Sequence, residues 1–243
     1  GIGDVGENLP HRFGFDRSFV LDATGGSNYD HTPYLPLYKT TNWFEDGAPV
    51  TLPDAFYSSE GIVDRMIDYL DESDPEKPFF SFVSFQAIHM PIQVSPEYRE
   101  HYAGRFEDGW EVMREQRLER AVDLGLVPES TELAPLPASS RAWDDLNDEE
   151  QAYWARSMQV NAGMLESADH HLGRLLAHLE AQGKLDNTLV IVTSDNGPES
   201  RGVGDATGVR GVAVRSWMRQ NGWNRDVETL GERNTMTFIG EEW

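Results

Sequence analysis

Asp195 and Asn196 stand together in the run Leu189-Val190-Ile191-Val192-Thr193-Ser194-Asp195-Asn196-Gly197, where an unbroken apolar stretch delivers an acid and an amide to its end. One side chain offers a charged oxygen and the other a neutral one, a pairing that a hard divalent cation accepts. The same Asp-Asn-Gly tripeptide is also ordinary turn chemistry, because these residues tolerate left-handed backbone and bond their own main chain. A second polar group occupies an equivalent place. Pro78-Phe79-Phe80-Ser81-Phe82-Val83-Ser84-Phe85 leads through Gln86-Ala87-Ile88 to His89-Met90-Pro91, so His89 closes an aromatic run as Asp195 closes an aliphatic one. An imidazole there can serve a reacting group as acid or base, or act as a structural hydrogen-bonder.

Rigid elements must stand behind these groups. The β-branched residues of 189–193 predict a strand buried on both faces, and the proline-bounded 78–85 predicts a second strand. Open α/β sheets bind ligands at the carboxyl ends of their strands. If the two strands are parallel, His89 and Asp195-Asn196 emerge on one edge around a common cleft. Val63, Met66, Ile67 and Leu70 recur at the spacing of one helical face, predicting a helix over 58–72 with Ser58 or Ser59 as its cap. Asn147 and Glu150 form a capping-box pair for a long helix over 148–182, stopped at Gly183. Its predicted buried stripe is Met158, Ala162, Leu165, Ala168, Leu172, Leu175, Leu176 and Leu179, with a bend expected near Gly163 or Gly173. His170 and His171 are adjacent on it and cannot both face one site, which makes them surface or groove residues. A helix running directly into the 189–193 strand favours a right-handed crossover and a parallel sheet.

The remaining segments carry weaker signals. Residues 1–50 read as loop with one or two short strands, in which Asp30, His31 and Asp46 are solvated loop residues. Residues 111–123 read as a surface helix whose Arg114, Arg117 and Arg120 pair with Glu111, Glu115 and Glu119. Pro128, Pro135 and Pro137 make 127–143 a connection. Residues 198–240 read as glycine-rich loop, enriched in charge by Arg201, Arg210, Arg215, Arg219, Arg225 and Arg233.

Composition narrows the partners. The 243 residues carry 20 basic and 42 acidic side chains, a net charge of −22, which argues against nucleic acid and anionic membranes. An anionic substrate would then need a locally positive site, which a metal ion supplies economically. The absence of cysteine excludes disulfides, thiolate zinc sites and cysteine nucleophiles in this chain. No apolar run reaches the length of a membrane span, and no stretch has the pattern of a signal peptide.

The order of several motifs resembles the sulfatases of the alkaline-phosphatase-like superfamily, and within it the bacterial arylsulfatases. The matching segments are His11-Arg12-Phe13-Gly14-Phe15-Asp16, Lys77-Pro78-Phe79-Phe80 with His89-Met90-Pro91, and Gly109-Trp110 with its arginine-rich helix. The 158–176 helix and the run from Asp186-Asn187-Thr188 through Ser194-Asp195-Asn196-Gly197 complete the series. The resemblance implies an α/β fold with a central, mostly parallel sheet flanked by helices, and hydrolysis of a small-molecule sulfate ester by a formylglycine nucleophile. It implies Asp195 and Asn196 as ligands of calcium, with magnesium as the alternative ion, and His89 as the side chain that contacts sulfate and the leaving group. Export to the periplasm or beyond fits the resemblance, and oligomeric state is left open.

The departures are equally informative. The family's formylglycine motif is Cys or Ser, any residue, Pro, any residue, Arg. No such pattern occurs here, and Ser95-Pro96-Glu97-Tyr98-Arg99 has its proline one place early. The aspartate pair expected near the family's N-terminus, a Gly-Lys-Trp-His-Leu-Gly-like segment and a later lysine are also missing. The expectation is that 1–243 is part of a single sulfatase catalytic domain truncated at both ends. Phosphonate monoester or phosphodiester hydrolysis, and an inactive calcium-binding or structural protein, are the alternative readings.

Overall fold

The computed structural model describes residues 8–23, 25–197, 208–240 and 242–243, with the backbone alone at 208 and 210. Arg201 lies outside the described residues. Near the N-terminus a small antiparallel sheet is built from β1 (Phe19–Leu21), β2 (Trp43–Glu45) and β3 (Ala48–Pro49), in that order. Phe19 faces Glu45 and Leu21 faces Trp43, while Phe44 faces Pro49. Asp46 and Gly47 both have positive φ, 50° and 87°, the signature of a two-residue hairpin turn whose twist matches its strands. Trp43 is buried and stacks on Phe19 with ring centroids 4.8 Å apart, and Phe56 meets it edge-on at 5.1 Å.

Helices are the main regular structure of the described residues. α1 (Ser58–Glu72) and α4 (Asp148–Ala181) pack against each other through Val63, Leu70, Leu175 and Leu179. The predicted limits of α1 hold, but its cap differs. The Ser58 hydroxyl donates to Asn28 Oδ1 at 2.7 Å, so it serves a long-range contact and leaves the helix end without a side-chain cap. Between α1 and α4 lie α2 (Pro96–Arg99) and α3 (Gly109–Asp123). The arginines of α3 do not pair with its glutamates among the described residues. Arg114 reaches the Ala134 carbonyl at 2.6 Å, and Glu111 accepts the Trp143 amide at 3.3 Å. α5 (Gly208–Gln220) forms where loop was predicted.

α4 starts with the expected capping box, Asn147 and Glu150 each bonding the other's amide at 3.0 Å. Its buried face runs through Ser157, Val160, Met164, Ser167, Ala168, His171, Leu175 and Leu179. Ala168, Leu175 and Leu179 belong to the predicted stripe, whereas Leu165 is 56% exposed. Small residues explain the rotation. A Cβ on Gly163 would fall 2.6 Å from the Arg99 Cα, so α4 turns this side toward α2 to gain a close approach that leucine would prevent.

Arg99 is the pin of that approach. Buried to 4% exposure, it bonds Glu100 and Glu232 at 3.0 Å each, while its carbonyl accepts from Gln159 at 2.8 Å. Hydrogen bonds from Arg156, and then from Arg99, lower the Glu100 carboxyl to a pKa of about 2.

Of the two histidines expected at the surface or in a groove, His171 is buried while His170 is exposed. Arg174 Nη1 lies 3.1 Å from His171 Nδ1. Arginine can only donate, so Nδ1 accepts and the ring is held neutral. Burial first, then the charges of Arg174 and His170, lower its pKa to about 4 against the opposing pull of Asp64. The unfolded chain therefore binds the extra proton between about pH 6.5 and 4. Stability is fully present above pH 6.5 and falls as the pH drops through that window, by on the order of 2–3 kcal/mol. Urea unfolding at pH 7.5 and 4.5 should show this loss, and His171→Gln should remove most of it. Glu100 adds its own loss only below pH 4.5, since its carboxyl is depressed to about 2.

The expected central parallel sheet is not formed among the described residues, whose sheet is the small antiparallel one. Residues 78–85 and 189–193 carry no regular secondary structure, and the amides of 79–86 and 189–197 make no backbone hydrogen bond among the described residues. Along 79–85 the side chains alternate. Phe79, Val83 and Phe85 pack on the α1–α4 cluster, whereas Phe80 and Phe82 are 78% and 71% exposed. The 189–193 segment was expected to be buried on both faces, but Leu189, Ile191 and Val192 are 86%, 76% and 73% exposed. β-branched residues fit a pleated surface, but they become a buried strand only where neighbouring strands pair with them.

Candidate functional site

His89 sits at an exposed lip in front of a rigid buried segment. Immediately after it, Met90, Ile92, Gln93 and Val94 are buried to 5% exposure or less. The Ile92 and Val94 amides donate to the Thr237 and Gly231 carbonyls at 3.3 and 2.9 Å. Gln93 Oε1 accepts from the Asn28 amide at 2.9 Å, and Asn28 Nδ2 donates to the Pro91 carbonyl at 3.0 Å. Tyr57 donates its hydroxyl to the Gln93 carbonyl at 2.9 Å, and burial raises its pKa far above that of a free phenol. These bonds hold the backbone from which His89 projects.

The imidazole is oriented from within. His89 Nδ1 lies 2.7 Å from the Met90 carbonyl. A carbonyl only accepts, so Nδ1 carries a proton and Nε2 is left for a ligand, an acceptor in the neutral ring and a donor in the cation. Gln86, three residues earlier, reaches the Gly26 carbonyl through Nε2 at 3.4 Å and leaves Oε1 buried without a partner among the described residues. Sequence reasoning missed Gln86 because nothing in its spacing distinguishes it from an ordinary polar residue after a strand.

Asp195 and Asn196 lie in a bend and are exposed. Ser194 donates its hydroxyl to the Asn196 carbonyl at 2.6 Å, and Thr193 donates to the Ser194 carbonyl at 3.1 Å, so local side-chain bonds shape the turn. The donor chemistry of an exposed carboxylate beside an amide suits a hard cation. The number does not, because calcium takes about six to eight oxygens, and no group of three or more His, Asp, Glu or Cys among the described residues could hold a metal. These two side chains therefore form at most part of a coordination sphere. Neither shares a hydrogen bond or ion pair with His89 among the described residues.

The loop acids of the N-terminal region take structural roles. His31 Nδ1 bonds the Thr41 carbonyl at 2.7 Å, Asp30 accepts the Thr32 amide at 2.9 Å, and Asp46 accepts the Ser18 amide and Arg17 at 2.7 Å each. No described helix is long and apolar enough to cross a membrane.

Comparison with known proteins places these features in context. The family model described as Sulfatase matches residues 6–227. An uncharacterised sulfatase of Schizosaccharomyces pombe is 33% identical over 252 aligned residues, covering 100% of this chain and 44% of its own length. An arylsulfatase of Klebsiella aerogenes is 29% identical, covering 100% of this chain and 51% of its own length. A multifunctional alkaline phosphatase superfamily protein of Trinickia caryophylli is 27% identical over 68% of this chain and 34% of its own. The chain thus spans about half the length of the first two relatives.

Proposed function

Because the chain belongs to the sulfatase family, we propose that it forms about half of a sulfuric ester hydrolase of the arylsulfatase type. The observation that carries this reading is the family match over residues 6–227, which takes in both His89 and the Asp195-Asn196 pair. In the proposed enzyme, 79–85 and 189–193 are strands of a completed α/β sheet, and their ends bring the three side chains to one site.

The roles follow from the groups themselves. Asp195 and Asn196 contribute two oxygens toward a bound calcium or magnesium ion, which when present polarises the sulfate oxygens. His89, held by the Met90 carbonyl, presents Nε2 to the ester. As a cation it donates a hydrogen bond to the leaving oxygen, and this stabilises the charge that develops as the sulfur–oxygen bond breaks. The formylglycine nucleophile proposed for the reaction has no counterpart motif among the 243 residues.

The chain alone should therefore release no product from an aryl sulfate above a His89→Ala control. Turnover by the purified chain that this substitution abolishes would show a complete site within the 243 residues. Phosphonate monoester or phosphodiester hydrolysis is the second reading, favoured by the likeness to the multifunctional superfamily protein. Side-by-side turnover of sulfate, phosphate and phosphonate esters by the longer polypeptide separates the two, with the sulfate ester expected to have the highest kcat/KM.

A further inference from the structure

The end of α5 and the segments that follow it line a pocket of about 420 Å³. Its floor is apolar and already organised. Met218, Trp223, Met236 and Phe238 line it, and all four are buried at 8% exposure or less within one cluster that also holds Met90. The Trp223 indole donates to the Pro33 carbonyl at 3.0 Å, which satisfies its only polar atom and leaves the ring as apolar wall. The Asn224 amide bonds the Asn234 carbonyl, and the Met236 amide bonds the Asn224 carbonyl, each at 2.9 Å, so the two sides of the floor are stitched together.

The rim is cationic in a chain of net charge −22. Among the described residues that line the pocket, Arg215, Arg219 and Arg225 face a single acid, Asp226. Arg225 is held in place, with Nε bonding the Tyr153 hydroxyl at 2.9 Å and its guanidinium 4.8 Å from that ring's centroid. Tyr153 is anchored in turn, its hydroxyl 3.0 Å from Thr237 Oγ1. Arg219 stands in the last turn of α5, where a cation complements the helix dipole, and its side chain is exposed. Its one hydrogen bond among the described residues is to the Arg215 carbonyl at 3.4 Å, a length that leaves most of its donors for a ligand.

An apolar floor of this kind takes a planar ring, and thioether sulfurs beside it make favourable contacts with aromatic groups. Guanidinium groups at the rim match the planar oxygens of an acid. Asp226 opposes the approach of a second negative charge, which disfavours inorganic dianions. We propose that this pocket is a binding site for an aromatic monoanion, a ring bearing one sulfonate, sulfate or carboxylate group, seated with the ring on the methionine and tryptophan floor and the acid toward Arg219. The proposal does not depend on the sulfate-ester reading.

Methyl-labelled methionine NMR of the purified chain tests it, because two of the seven methionines line the pocket, while Met66, Met113 and Met158 do not. With naphthalene-2-sulfonate, the Met218 and Met236 methyl signals should move and saturate, while Met66, Met113 and Met158 stay in place. Neutral 2-naphthol and inorganic sulfate should each bind at least about 5-fold more weakly, since each lacks half of the complement. Arg219→Gln should weaken the sulfonate about 5- to 10-fold and leave 2-naphthol unchanged within about 2-fold, and Arg219→Lys should recover part of the loss. 2-Naphthoate separates a general acid site from one selective for sulfur oxyanions. The proposal is overturned if millimolar sulfonate leaves Met218 and Met236 unmoved, if 2-naphthol binds as tightly as the sulfonate, or if Arg219→Gln binds like the wild type.

Discussion

Gly163→Val is expected to lower the stability of the chain by about 3 kcal/mol or more, whereas Gly173→Ala, ten positions along the same helix, should raise it by about 0.5–1 kcal/mol. A Cβ at 163 would lie 2.6 Å from the Arg99 Cα and 2.7 Å from its nitrogen, while a Cβ at 173 meets nothing within 4 Å. Backbone atoms cannot swing aside as a side-chain tip can, so the new methyl groups must push α2 away from α4. That displacement also pulls the buried Arg99 guanidinium from Glu232, which it now contacts at 3.0 Å. Leaving the buried guanidinium short of a carboxylate adds to the overpacking penalty. At 173 only the entropic handicap of glycine in a helix is removed. Thermal unfolding should show Gly163→Val at least about 6 °C below the wild type and Gly173→Ala a few degrees above it. A Gly163→Val midpoint within a degree of the wild type would mean that α2 and α4 do not cross at this glycine.

The larger effect should come from Asp195. In the longer polypeptide, Asp195→Ala should weaken calcium binding by at least about 100-fold and lower kcat/KM by a comparable factor at subsaturating metal. Asn196→Ala removes a neutral donor in place of a charged one and should do less. Both residues are exposed and shaped only by local bonds from Thr193 and Ser194, so neither change should disturb folding. Unchanged metal affinity in Asp195→Ala would return the tripeptide to turn chemistry alone.

Local signals were legible in the sequence wherever one segment carried its own partner. α1 matches its predicted limits because its apolar positions recur on one face, and the capping box of α4 is read from two residues three apart. The hairpin at Asp46-Gly47 had a readable signal in the Asp-Gly pair, since that dipeptide suits a turn with two positive φ angles. α5 offered no such signal. Val209 and Val212 on it are 88% and 58% exposed, so no apolar stripe marks the helical period. The stripe of α4 was displaced because the choice between Leu165 and Ser167 rests on what lies opposite, and a glycine contact with Arg99 is invisible from within the helix.

The strands failed for the same physical reason on a larger scale. Composition marks 79–85 and 189–193 as strand candidates, but pairing and burial are properties of the sheet they would join. The candidate site shares this dependence. His89 owes its orientation to contacts inside the chain, through Met90 and the pinned 91–94 segment, and so its geometry is already set. Asp195 and Asn196 follow a segment that pairs with no strand among the described residues.

The most direct measurement is a crystal structure of the longer polypeptide grown with calcium and an aryl sulfate. The account predicts oxygens of Asp195 and Asn196 about 2.3–2.6 Å from the ion, and His89 Nε2 about 2.7–3.2 Å from an oxygen of the ester. An ion and sulfate bound with Asp195 and His89 both turned away from them would contradict it.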